Sequence, residues 1–271
     1  MKKSLSVTII IMIIVFCLPS CRKSSDNIIN GKALSDMTAK EMFNYSTEKL
    51  FSSDNFTCRI SMKMYSDLYG YKGKTIGSEL LKFENLNGDN PKMSADITID
   101  SFLWMKAVMN VFYSDGYCCV DYCGPRLKTA LTHEQAMHNM LSFVLSNEDT
   151  TAGDFKSIIK TNNGSEWTVT CSGMNNAKAE KVFGDIIKSF SLNLTGKIVE
   201  FNEINVITII DPEGYIISQD IQFNMNIKSV GKEMNYTVII TAKYNDYGIT
   251  TVYRNINTDN FSEVDYSDMF G

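Results

Sequence analysis

The sequence predicts an α+β fold: a large curved antiparallel sheet, an unclosed β half-barrel, with about three helices on its concave face. Three observations predict it. Apolar and polar residues alternate with a period of two in many separate runs, short turn signals divide those runs, and helical periodicity is confined to three stretches.

The first helix begins at a capping box, Thr38-x-x-Glu41, and runs to about Leu50. Asp54-Asn55 ends it. From there Phe56, Cys58, Ile60, Met62 and Met64 alternate with Thr57, Arg59, Ser61, Lys63 and Tyr65, the pattern of a strand with one dry and one wet face. The alternation returns in Met93-Ala95-Ile97-Ile99, Trp167-Val169-Cys171, Ile221-Phe223-Met225-Ile227 and Met234-Tyr236-Val238-Ile240-Ala242. Asn87-Gly88-Asp89, Ser114-Asp115-Gly116, Pro212-Glu213-Gly214 and Val230-Gly231-Lys232 supply turns, so successive strands pair as antiparallel hairpins. A second helix starts at the capping box Thr132-x-x-Gln135 and places Ala136, Met137, Met140, Leu141, Val144 and Leu145 on one face. A third carries Ala179, Val182, Phe183, Ile186, Ile187 and Phe190 on one stripe. About nine or ten strands result, and a sheet of that width curls through its own twist, making the dry face concave. Residues 36–271 read as one domain.

The chain opens Met1-Lys2-Lys3, continues through an apolar run of roughly fourteen residues, Leu5 to Leu18, and reaches Pro19-Ser20-Cys21. A membrane-spanning helix needs ~20 apolar residues, so this run reads as an export signal. Leu18-Pro19-Ser20-Cys21 resembles the lipobox of bacterial lipoproteins, although Pro19 departs from its commonest form. The resemblance implies a signal peptide over residues 1–20, cleavage between Ser20 and Cys21, and a diacylglycerol on the Cys21 thiol. Residues 21–35, polar and containing Ser24-Ser25-Asp26-Asn27, then form a lipidated flexible tether. The expected location is extracytoplasmic, on the bacterial cell membrane, with the lipid as the membrane partner.

Charge and cysteines narrow the function. The formal net charge is -5, and loss of Lys2 and Lys3 with the signal takes it to -7, a balance that repels nucleic acid. Of seven cysteines, Cys17 departs with the signal and Cys21 takes the lipid, leaving Cys58, Cys118, Cys119, Cys123 and Cys171. An odd number excludes a complete internal disulfide framework. In an extended segment Cys119 and Cys123 sit ~13 Å apart, too far to share a metal ion. His133 and His138, five residues apart on a helix, point in different directions. The sequence carries no nucleophile elbow, Walker loop, zinc-protease helix or dinucleotide fingerprint. No enzyme, cofactor or metal is expected.

The lipobox, the helix before the strand Phe56 to Tyr65, the passage from Phe112 to Asp121 and the passage Asp211 to Tyr215 leading into Ile216–Lys228 and Lys232–Tyr244 resemble the LolA-like group of lipoprotein-carrier folds. The likeness extends to lipoproteins of low-GC Gram-positive bacteria. It implies a half-barrel that holds lipid or acyl chains between sheet and helices, with no catalytic residues to carry over. Core-facing Met62, Met64, Met93, Met109, Met137, Met140, Met225 and Met234, with Ile97, Phe223 and Tyr236, mark the candidate apolar pocket. The same residues equally suit a filled core, where methionine is the ordinary gap-filler. Phe102, Trp104, Phe112 and Tyr113 line a mouth or simply pack. The expected function is a lipid-anchored lipoprotein binding or carrying a lipid-like ligand. The alternative is a non-enzymatic envelope interaction or stress-sensing module without a cavity, its protein partner unnamed by the sequence.

Overall fold

The computed structural model describes residues 32–68, 70–101, 104–132, 135, 151–180, 198–229, 232–252, 260–265 and 269. Cys21, the signal peptide, most of the tether, His133, His138, Phe102, Met137 and Met140 lie outside them, and of Trp104 only the backbone is described.

Helix α1 (Ala39–Phe51) starts where the capping box places it. The Glu41 N–H donates to Thr38 Oγ1 at 3.2 Å, and the Thr38 N–H donates to the Glu41 carboxylate at 2.6 Å. Hydrogen bonds from Lys32 and Thr38 hold that carboxyl well below the usual carboxylate range. Met42, Phe43, Ser46, Thr47, Leu50 and Phe51 form the buried stripe at helical spacing.

Among the described residues, twelve strands form one sheet. The first six are β1 (Phe56–Leu68), β2 (Tyr71–Glu84), β3 (Lys92–Ser101), β4 (Trp104–Ser114), β5 (Tyr117–Tyr122) and β6 (Arg126–Ala130). They are followed by β7 (Ser157–Asn162), β8 (Trp167–Ser172), β9 (Ile198–Ile210), β10 (Ile216–Ser229), β11 (Lys232–Asn245) and β12 (Ser262–Glu263). Their spatial order is β12-β6-β5-β4-β3-β2-β1-β11-β10-β9-β8-β7, so the sheet is unclosed. Two meanders, β1–β6 and β7–β11, meet along a central seam where Thr57 pairs with Asn245 and Leu68 with Met234. α1 packs on the β7, β8 and β10 end of the dry face, and Phe43 meets Phe155 edge-on at 6.2 Å.

Two expectations are corrected. Among the described residues helix covers α1, residues 176–180 and the single positions 135 and 269, besides the 3-10 turns Leu34–Asp36 and Ala152–Asp154 and residue 260, so the expected three helices are not matched. The Thr132 capping box does form, with Thr132 and Gln135 exchanging hydrogen bonds of 3.0 and 3.1 Å, but residues 136–150 are outside the description. The sheet is also wider than nine or ten strands and not wholly antiparallel. β12 runs parallel to β6, with Ser262 opposite Leu127, because it returns from beyond β11.

The turns follow from their residues. Asp115 and Gly116, with φ of 52° and 79°, form the two-residue link between β4 and β5 that matches strand twist. Gly214, with φ of 91°, lies under Tyr45 of α1, and a Cβ there would stand 2.6 Å from that ring. Gly214→Ala is expected to lower stability by about 2 kcal/mol, because left-handed backbone alone costs an L-residue roughly 1–2 kcal/mol. Urea denaturation of the two proteins checks this, and an unchanged midpoint would contradict the tight approach.

Candidate functional site

The pairing register fixes what stands on the dry face. One transverse row reads Val169, Thr208, Gln219, Ala242, Ile60, Glu79, Ile97, Met109 and Tyr122 across eight hydrogen-bonded strand pairs. Its neighbour runs Ile221, Ile240, Met62, Gly77 and Ile99. Met62, Met64, Met93, Ile97, Met109, Phe223, Met225, Met234 and Tyr236 are all buried on this face.

The structure divides those residues into two groups. Met64, Phe223, Met225, Met234 and Tyr236 cluster near the β1–β2 turn, where Met225 pairs with Tyr236 and Phe223 with Val238. Met93 stands at the other end, opposite Phe83, which is itself opposite Phe56. Eight residues of β1 separate Phe56 from Met64, about 26 Å of strand. Met62, Ile97 and Met109 lie between the groups.

At that middle position the dry face is polar. Gln219 and Thr208 are satisfied: Gln219 Nε2 donates to Thr208 Oγ1 at 3.3 Å, and the Tyr244 hydroxyl donates to Gln219 Oε1 at 3.1 Å. Glu79 differs. Its residue is 6% exposed, its Oε1 has no hydrogen-bond partner, and its strand neighbours on this face are Ile60 and Ile97. Burial pushes its carboxyl up to about 8. Gly77, two residues earlier on the same face, contributes no side chain between Met62 and Ile99. A glycine inside a strand weakens it and marks a place where a ligand or another backbone approaches closely.

The wet face of β9, β10 and β11 holds a cavity of about 410 Å³, lined by Glu200, Asn202, Asn224, Asn226, Glu233 and Asn235 together with Met225 and Tyr236. Asn226 donates through Nδ2 to Glu233 and Asn235, while its Oδ1 is buried without a partner. Lys228 pairs with Glu200 at 2.7 Å on the rim.

Cys58, Cys118, Cys119 and Cys171 are buried and only Cys123 is exposed among the described free cysteines. Burial pushes Cys118 and Cys171 up to about 12, far from a thiolate at neutral pH. Among the described residues no group of three metal-ligating side chains converges, and no helix is long and apolar enough to cross a membrane.

Sequence reasoning missed Glu79 and Gly77 because β2 was not legible. Ile76 and Leu80 fall on the wet parity while Gly77 and Glu79 fall on the dry one, so apolarity does not alternate cleanly. The available signal was the hairpin with β1: pairing Phe83 opposite Phe56 puts Glu79 beside Ile60.

The sequence matches no protein-family model and no curated protein. Among solved structures the chain is similar to LprF from Mycobacterium bovis, at 9% identity over 80% of this chain and 96% of that one, with a TM-score of 0.43. It is also similar to a DUF1329 family protein from Desulfovibrio piger, at 9% identity over 86% and 99% of the two chains, TM-score 0.25. A third is a beta-barrel-like protein of domain of unknown function DUF1849 from Brucella abortus, at 10% identity over 72% and 100%, TM-score 0.21. Likeness at this level says nothing of ligand or activity, and nothing in it speaks for the low-GC Gram-positive relatives that the sequence resemblance implied.

Proposed function

We propose that this chain is an extracytoplasmic lipoprotein of the LolA-like group, cleaved before Cys21 and acylated there, that binds or carries an apolar, lipid-like ligand on the dry face of its sheet. It is not an enzyme in this reading. The observation that carries it is a largely apolar face on an unclosed sheet, interrupted at its middle row by Thr208, Gln219 and Glu79 and bearing Met62, Met64, Met93, Met109, Met225 and Met234. Unbranched thioethers repack around ligands of irregular shape more readily than branched aliphatic side chains do. The buried, unpartnered Glu79 supports the same reading, since native proteins keep few such groups without a use.

The test is mass spectrometry of an organic extract from a full-length Cys21→Ser chain, which cannot be acylated and so releases only non-covalent lipid. Acyl-chain species at near-stoichiometric yield are expected. An extract free of them would overturn the proposal and favour an interaction module, whose contact surface would be the polar cavity of β9 to β11.

A further inference from the structure

The geometry points to Glu79 as the polar anchor of the dry face, hydrogen-bonding the neutral, hydroxyl-bearing head of an acylglycerol-type lipid whose chains lie along the methionine-lined rows. This inference rests on the apolar-ligand reading and names the chemistry of the head.

Three observations carry it. Glu79 is buried in the middle of the dry face with Oε1 unpartnered, flanked in register by Ile60 and Ile97. The satisfied polar group of the same row, Gln219, is separated from it by Ile60 and Ala242, so it stands three strands away and does not serve it. Gly77 leaves the face without a side chain immediately beside the carboxyl. Apolar side chains extend from this point in both directions along β1, towards Met62 and Met64 one way and Cys58 and Phe56 the other. Chains leaving a head at Glu79 would therefore meet apolar side chains in both directions.

The neutrality of the head follows from the surroundings. A carboxyl enclosed by aliphatic side chains keeps its proton, which makes it one donor and one acceptor, the complement of a hydroxyl next to an ester carbonyl. A cationic head would need both ions desolvated, a cost that attraction offsets only when every remaining hydrogen bond is made. Among the described residues an anionic head would find no cation beside it, because the flanking positions on this face are Ile60, Ile97, Gly77 and Leu81.

The test is displacement of diphenylhexatriene from the full-length Cys21→Ser chain by 1-monooleoylglycerol, oleylamine and octadecene, repeated with Glu79→Gln, Glu79→Leu and Gly77→Val. Monooleoylglycerol is expected to bind about ten-fold tighter than octadecene and tighter than oleylamine, as one good hydrogen bond implies. Glu79→Leu and Gly77→Val should erase that margin, with each variant read against its own diphenylhexatriene saturation curve. Glu79→Gln, which keeps a donor and an acceptor, should retain most of it. Monooleoylglycerol binding to Glu79→Leu at the affinity of the parent, or a preference for oleylamine, would overturn the anchor alone. Failure of every variant and the parent to bind diphenylhexatriene would instead sink the apolar-ligand reading beneath it.

Discussion

Replacing Glu79 with glutamine is expected to abolish a fall in stability between about pH 4.5 and 8 that the parent protein shows. Burial raises this carboxyl from 4.5 to about 8 in the folded chain. Below pH 4.5 both folded and unfolded chains hold the proton, and the group's contribution is fully present. Between the two values the unfolded chain releases a proton that the folded chain keeps, so stability declines as pH rises. Above about 8 the decline is complete, and linkage puts it at about 5 kcal/mol. Glu84 works in the opposite sense: the Val252 N–H and Lys92 hold its carboxyl low, and its contribution is lost as pH falls through its folded value. Urea denaturation of parent and variant at pH 4.5, 6 and 8 isolates Glu79, because Glu84 is common to both. Parallel curves for the two proteins would show that Glu79 is not the isolated group described. Glu79→Leu should go further and stabilise the protein outright at pH 8, since an apolar side chain of similar size needs no partner there.

Phe56→Ala is expected to cost about 3–5 kcal/mol, the usual loss for a fully buried phenylalanine. Phe56 and Phe83 are both wholly buried, with ring centroids 4.7 Å apart. On its other side Phe56 meets Tyr247 at 6.1 Å, and Tyr247 stacks on Tyr215 at 4.6 Å, with Lys49 of α1 standing 4.0 Å over the Tyr215 ring. Tyr247 also donates through its hydroxyl to the Ile216 carbonyl. The column thus ties β1 and β2 to the turn before β10, the turn after β11 and the end of α1. Removing its central ring leaves a void that stiff strands cannot close. Thermal unfolding should show a large drop in midpoint, and a loss below about 1 kcal/mol would mean that the site collapses easily.

Much of this architecture was legible where a local rule has one outcome. The capping box placed α1 within a residue of its start, Asp115-Gly116 fixed a hairpin, and the strands read as Ile216–Lys228 and Lys232–Tyr244 each run one residue further, to Ser229 and Asn245. Met62, Met64, Met93, Met109, Met225 and Met234 are buried at the positions read as core-facing, while Met137 and Met140 lie outside the described residues. What sequence left open depends on partners distant along the chain. No local feature of Phe56–Leu68 announces that its second neighbour is Lys232–Asn245, and the two-residue return of Ser262–Glu263 is too short to carry a period. The bulge in β9, where Glu203 takes φ of 54° and register slips opposite Gln222–Asn224, likewise has no signature in composition. Glu79 was hidden for the plainest reason: an acid in an unparsed strand is read as solvent-facing until a neighbour fixes its side.

The seam between β1 and β11 joins the earliest strand of the sheet to the penultimate one, with partners such as Cys58 and Tyr244. Every residue from 69 to 231 is therefore made before the middle of the sheet can zip. Until then β1 waits with one row of amides unmatched, an open template for a neighbouring molecule. Long-range closure of this kind makes for slow maturation, and it places the window of greatest aggregation risk ahead of the arrival of residues 232–245.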